Sequence, residues 1–201
     1  MMSHRTLSDA EMTTNQDPKA PSVERRTLAE GQHLRLIREG HWEYADRTRA
    51  SGAVVIVAVT DEGRILLTEQ YRIPVGRRVV ELPAGLVGDV EGAETEQLET
   101  AAGRELLEET GYQAGVMELL TAGPPTAGLA TEIVAFFRAS RLEKVSSGGG
   151  IEHEEIEVHE VPLDAVAAWL EERGHSGVYI DPKVYAGLYF CRVVCPHPSR
   201  D

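Results

Sequence analysis

Long apolar runs are missing from this chain of 201 residues. No stretch reaches the ~18 consecutive apolar residues of a membrane-spanning helix, and no apolar core opens the N-terminus as in a secretory signal, so neither a membrane partner nor export is expected. Cysteine is scarce: Cys191 and Cys195 are the two present. They exclude a disulfide scaffold and fit a reducing cytoplasm. Basic residues are outnumbered, 20 Lys and Arg against 33 Asp and Glu, for a formal net charge of −13. A general nucleic-acid binder normally carries a basic face, so nucleic acid is not an expected partner. Internal repeats are absent, and no strand–glycine-rich turn–helix unit opens the chain, which argues against a doubly wound fold.

What is present is enough for an ordinary core, with 42% hydrophobic and 26% charged residues. The charge is uneven. Residues 1–80 hold 12 Lys/Arg and 11 Asp/Glu, whereas residues 81–201 hold 8 and 22. A solvated acidic surface and a set of carboxylates that need cations both fit this imbalance.

Residues 1–22 are polar and aperiodic and read as a disordered or loosely attached arm. Residues 23–50 read as an N-terminal β segment, and residues 51–201 as the main domain. Ala53–Thr60 (AVVIVAVT) is a buried strand rich in β-branched residues. The turn Asp61-Glu62-Gly63 and the strand Arg64–Gln70 complete a predicted hairpin. Further strands are expected at Arg78–Leu82, Val116–Thr121, Glu132–Ala139 and Glu155–Val161. Helices are expected at Glu94–Thr110, closed by Gly111, at Leu163–Arg173, and at Pro182–Val193 with Asp181 as its cap. Ser146–Gly150 (SSGGG) reads as a flexible loop. The fold class is a mixed α/β sandwich.

On a wheel of about 100° per residue, Leu98, Ala101 and Ala102 share one face of the central helix. The same face continues into Glu105, Glu108 and Glu109, related by i+3 and i+4 spacing. Three carboxylates crowded together repel, and they lie near the helix end where the dipole disfavours negative charge. A divalent cation relieves both problems, and hard oxygen donors suit Mg²⁺ or Mn²⁺. A solvated helix end would show the same spacing.

Arg104–Tyr112 reads RELLEETGY, with Glu96 eight residues before Arg104. This resembles the signature of the Nudix hydrolases. The resemblance implies an α/β/α sandwich with a mixed sheet and a central loop–helix–loop. It also implies Mg²⁺-dependent hydrolysis of a nucleoside diphosphate linked to another moiety. One departure stands out: the signature glycine expected six residues before the first glutamate is replaced by Val90, so the loop from Gly85 to Glu96 is five residues longer than the pattern.

Glu81–Gly85 (ELPAG) is similar to the ADP-ribose pyrophosphatase and nucleoside-diphosphate-sugar branch. By that resemblance the Ala84 carbonyl, Glu105 and Glu109 ligate metal, with Glu108 a further ligand and catalytic group. Arg104 orients the glutamates. Gly128 and Glu132 keep the spacing of the branch's loop after the signature, which implies Glu132 as the base that activates water, although Ala127 stands where proline is expected. Trp42, Glu43 and Arg47 resemble the adenine-holding segment, and Arg72 a phosphate or ribose contact. Packing, for Trp42, and an exposed strand start, for Glu132, are the plain alternatives. The acidic Glu152–Glu157 stretch reads as a lid near the site; His153 and His159 are conceivable metal ligands, but lone histidines in an acidic stretch are more often surface residues. The branch's exchanged N-terminal segments imply a homodimer.

The activity implied is hydrolysis of ADP-ribose or a related ADP-sugar to AMP and sugar phosphate. GDP-mannose or another nucleoside-diphosphate sugar is the alternative substrate. A non-hydrolytic nucleotide-sensing module is the alternative outside enzymes, but such modules lose signature glutamates or carry a DNA-binding extension, and neither is seen here.

Overall fold

The computed structural model describes residues 23–88, 92, 95–151 and 155–193. The expected arm at 1–22, the insertion around Val90, His153 and Cys195 lie outside the described residues. The elements are β1 (Arg25–Glu30), β2 (Leu34–Glu39), β3 (Trp42–Arg47), β4 (Gly52–Ala58), β5 (Arg64–Arg72), β6 (Arg77–Glu81) and β7 (Ala84–Val87). They continue with α1 (Leu98–Thr110), β8 (Tyr112–Gly123), β9 (Val134–Lys144), β10 (Glu157–Pro162), α2 (Val166–His175), β11 (Tyr179–Ile180) and α3 (Pro182–Val193).

Three sheets result. β1–β2–β3 is an antiparallel meander, and the other two are four-stranded and mixed, in the orders β10-β5-β6-β11 and β7-β4-β9-β8. β4 runs parallel to β9, and β11 parallel to β6. The predicted hairpin is corrected by this arrangement. The turn forms, with Gly63 N–H donating to the Thr60 carbonyl at 2.9 Å. The flanking strands then part into different sheets, meeting only at a Val59–Ile65 bridge. The reason is burial: β4 is covered on both faces and gives both hydrogen-bonding edges to β7 and β9, so none is left for β5.

Two cores follow from the alternation of side chains along β4. Val54, Ile56 and Ala58 pack with Ala101, Ala102 and Leu106 of α1. Val55 and Val57 pack with Ile65 and Leu67 and with Val166 and Leu170 of α2 and Val184 of α3. α1 therefore covers one side and α2 with α3 the other, the layered mixed α/β architecture expected. Leu106 is fully buried, worth roughly 1.5–3 kcal/mol. α1 starts at Leu98, four residues later than expected, and closes as expected on Gly111, whose left-handed φ of 77° lets its N–H reach the Leu107 carbonyl at 2.9 Å. At α3, Asp181 caps through Lys183 N–H at 2.7 Å. Among the described residues no helix is long and apolar enough to cross a membrane.

Candidate active site

α1 and β7 meet along the acidic face read from the sequence. The burial that makes Ala101 and Ala102 core residues turns the same helical face toward β7 one turn later. Glu109 is buried and accepts the Ala84 N–H at 3.1 Å. Glu105 lies directly against Gly85: a Cβ built there would stand 1.9 Å from the Glu105 carboxyl carbon. The glycine is thus required by the carboxylate above it.

Arg104 organises the group. Its Nε and Nη2 donate to the two carboxylate oxygens of Glu96 at 3.2 and 3.1 Å. Its Nη1 donates to Glu105 at 2.8 Å and to Glu108 at 3.2 Å, and Nη2 also reaches the Leu86 carbonyl at 3.1 Å. The hydrogen bonds to Glu96 outweigh the cost of burial and, with the charges of Glu105, Glu96 and Glu108, raise the guanidinium further above its ordinary value. Among the described residues, no three His, Cys, Asp or Glu side chains are gathered tightly enough to enclose an ion; Glu105 and Glu108 are turned to Arg104 instead. The donors nonetheless suit a hard divalent cation in kind. Three carboxylates share one helical face, the Ala84 main chain meets Glu109 through its N–H, and the Gly85 backbone leaves room where a side chain would intrude.

The expected flexible loop at 146–150 is instead packed onto the end of α1. Gly149 N–H donates to the Glu109 carbonyl at 2.8 Å and Gly150 N–H to the Glu108 carbonyl at 3.1 Å, while Val145 and Ser146 N–H both reach the Gly111 carbonyl. Helix-end carbonyls have no partner within the helix, and this loop supplies one. The run of glycines in the sequence was the available signal: backbones this close admit no side chains.

A second group forms where β3 meets the loop before β9. Ala45 N–H donates to the Leu129 carbonyl at 2.8 Å and Thr131 N–H to the Ala45 carbonyl at 3.1 Å. Thr131 Oγ1 donates to Asp46 at 2.7 Å, and Arg47 Nε to Glu132 at 2.5 Å. Trp42 is half exposed, and a Cβ on Gly128 would touch its indole at 3.9 Å. Arg47 and Glu132 are therefore brought together, Trp42 lies by Gly128 at the other end of β3, and Glu43 points to Arg38. Arg72 donates to the buried Glu81 at 2.7 Å.

One buried charge escaped sequence reasoning. Glu69, on β5, is wholly buried and accepts Arg78 Nε at 2.6 Å and an Arg173 Nη2 hydrogen bond. His159, expected at the surface, is largely buried on β10, 4.9 Å from the Trp169 ring centroid and with Nε2 3.4 Å from Glu69. Its place on a strand facing α2 accounts for this.

Known proteins carry related sequences. The sequence model of the NUDIX domain matches residues 49–181. An ADP-ribose pyrophosphatase of Bacillus subtilis (strain 168) is 40% identical over 69% of this chain and 71% of its own length. A methanol dehydrogenase activator of Bacillus methanolicus is 35% identical, and the alignment spans 62% of this chain and 65% of that protein. A GDP-mannose pyrophosphatase of Yersinia pestis is 31% identical over 80% of both chains. The crystal structure of an ADP compounds hydrolase superposes with a TM-score of 0.66 at 20% identity, over 89% of this chain and 95% of that one. With its signature helix seated as the sequence implied and the matched region running from the end of the meander to the start of α3, the chain belongs to the NUDIX domain family.

Proposed function

We propose that the protein hydrolyses the diphosphate bond of ADP-ribose or a related ADP-sugar, yielding AMP and a sugar phosphate. The observation that carries this reading is the face of α1 on which Glu105 and Glu109 stand against the Ala84-Gly85 backbone, with Arg104 joining Glu105 to Glu108. In this reading Glu105, Glu108, Glu109 and the Ala84 carbonyl hold Mg²⁺, and Mn²⁺ satisfies the same donors. Bound there, the cation supplies positive charge to the diphosphate oxygens as negative charge develops. Arg104 keeps Glu105 and Glu108 aligned by donating a hydrogen bond to each. Arg47 and Arg72 donate to the anionic substrate through forked guanidinium groups, leaving Glu132 and Glu81 as they do so. Freed of Arg47, Glu132 accepts the proton of the attacking water.

Trp42 offers its exposed face to the adenine. Trp42→Ala is expected to raise KM for ADP-ribose about fivefold with kcat nearly unchanged, in line with a stacking contribution of ~1 kcal/mol. An unchanged KM removes the stacking role. The wholly exposed β1 and the exposed Leu28, Leu34 and Leu36 of the meander support a homodimer built through residues 23–50. The scarcity of cysteine supports a cytoplasmic location.

GDP-mannose remains the rival substrate, because Ala127 replaces a proline of the ADP-ribose branch and a relative is named for GDP-mannose. The test is a panel of ADP-ribose, other ADP-sugars and GDP-mannose with Mg²⁺ in ¹⁸O-labelled water. ADP-ribose is expected to show the highest kcat/KM, with label in a phosphate product. A higher kcat/KM for GDP-mannose transfers the assignment to that sugar. No turnover of any conjugate with Mg²⁺ or Mn²⁺ overturns the hydrolase reading.

A further inference from the structure

The end of α1 carries a problem that its own residues do not solve. Glu108 and Glu109 sit in the last turn, at the negative end of the helix dipole, where carbonyls lack partners and helices fray. The donors come from residues forty or more positions later. Gly149 N–H meets the Glu109 carbonyl and Gly150 N–H the Glu108 carbonyl, so the main-chain oxygens of the two acidic residues are each held by one glycine. Farther along, Ile156 N–H donates back to the Gly149 carbonyl at 3.2 Å, tying the strap to the residue that precedes β10. Gly148 lies between the two backbones: a Cβ there would stand 2.4 Å from the Thr110 carbonyl carbon and 2.6 Å from the Glu109 oxygen, and its φ of +65° already favours glycine. Gly111 faces it from the helix side, its absent Cβ 2.2 Å from the Ser146 oxygen. The contact is backbone against backbone, with nothing able to yield by rotating a side chain.

We propose that Gly148, Gly149 and Gly150 are positioning residues. They hold the last turn of α1, and with it the Glu108 and Glu109 carboxylates, in the placement a divalent cation needs. This rests on the metal reading above and adds to it the element that sets the geometry. Rotating or fraying that turn moves Glu109 away from the Ala84 backbone and Glu108 away from Arg104, while the α1 core contacts of Ala101, Ala102 and Leu106 lie up to two turns away and persist.

The test compares Gly148→Ala, Gly149→Ala and Gly177→Ala in the full chain, with Mn²⁺ affinity read from the EPR signal of free Mn²⁺ and with kcat and KM. Gly177, between α2 and β11, has a comparable φ of +83°, and a Cβ there would meet only the Arg77 guanidinium at 3.7 Å, so it reports the strain of alanine in a left-handed position by itself. Gly148→Ala is expected to weaken Mn²⁺ binding about tenfold or more, as loss of a group supporting metal ligands does, and to lower kcat more than it raises KM. Gly177→Ala is expected to lower the melting temperature and leave Mn²⁺ affinity unchanged. A folded Gly148→Ala with Mn²⁺ affinity within twofold of wild type overturns the proposal. Should Gly148→Ala not fold, Gly149→Ala decides, since its φ of +110° is strained but its Cβ meets only the Ile156 oxygen at 3.8 Å. It is expected to shift affinity the same way by a smaller factor, and wild-type affinity there overturns the proposal. If the wild type itself binds no Mn²⁺, the metal reading fails and the strap's role with it; binding by the wild type with unaltered glycine variants removes the strap alone.

Discussion

Glu109→Gln is expected to lower turnover of ADP-ribose by two decades or more and to weaken Mn²⁺ binding in parallel. Glutamine keeps the size of the side chain and the carbonyl oxygen that accepts the Ala84 N–H, so the contact between α1 and β7 survives. What is lost is one full negative charge, buried at 4% exposure beside the proposed cation. Stabilisation of transition-state charge by a metal is worth several kcal/mol, and each ~1.4 kcal/mol is a factor of ten in rate. The loss should fall on kcat, because in the proposed reading Trp42, Arg47 and Arg72 also hold the substrate, and the substitution does not touch them. Thermal unfolding of the variant near the wild-type temperature would establish that the fold is intact. Turnover within threefold of wild type, in a folded variant, would remove Glu109 from the metal set.

The parts of this site that are legible in the sequence are those whose signal is local. Leu98, Ala101, Ala102, Glu105, Glu108 and Glu109 fall on one helical face by periodicity, and burial of the two alanines and Glu109 follows that face. Gly111 and Asp181 mark helix boundaries through capping chemistry that needs no tertiary contact. The hairpin failed for a physical reason: a turn between two β-branched strands reads identically whether the strands pair or part. The choice was made by β7 and β9, remote in sequence, which occupy both edges of β4. β7 itself is four residues long and follows a proline, too short for a pattern. SSGGG reads as flexibility when viewed alone. Its ordering comes from the carbonyls of Glu108, Glu109 and Gly111, which only the folded chain brings near. Glu132 was visible as a carboxylate at a given spacing, but its pairing with Arg47 depends on the docking of β3 against the 124–132 loop. Glu69 was invisible as a buried charge, since its partners come from β6, β10 and α2.

Those partners make Glu69 a position where even an isosteric substitution should cost much in stability. Its carboxylate is wholly enclosed, with Arg78 on one oxygen and Arg173 and His159 on the other, so it joins β5, β6, β10 and α2. Glu69→Gln is isosteric but leaves two guanidinium groups facing a neutral amide, one of whose atoms is itself a donor. Removing one member of a buried ion pair costs about 3–5 kcal/mol. Arg78 and Arg173 retain partial access to water, at 39% and 29% exposure, which lowers the expectation to about 2–3 kcal/mol. For a chain of this size that corresponds to a fall in melting temperature of roughly 5–10 °C at pH 7. The pH dependence supplies a second check. Burial alone would raise the Glu69 carboxyl, but hydrogen bonds from Arg78 and Arg173, reinforced by their charges, hold it below the ordinary value of 4.5. A carboxyl lowered in the folded state contributes stability that is fully present above its unfolded value and is lost as pH falls through its folded one. The gap between wild type and Glu69→Gln should therefore be constant near neutrality and close as the pH drops below 4.5. Denaturant titrations of both proteins between pH 7 and the acid limit of folding measure it. A gap absent at pH 7, or one that widens in acid, would mean that the buried pair contributes no stability through its charge.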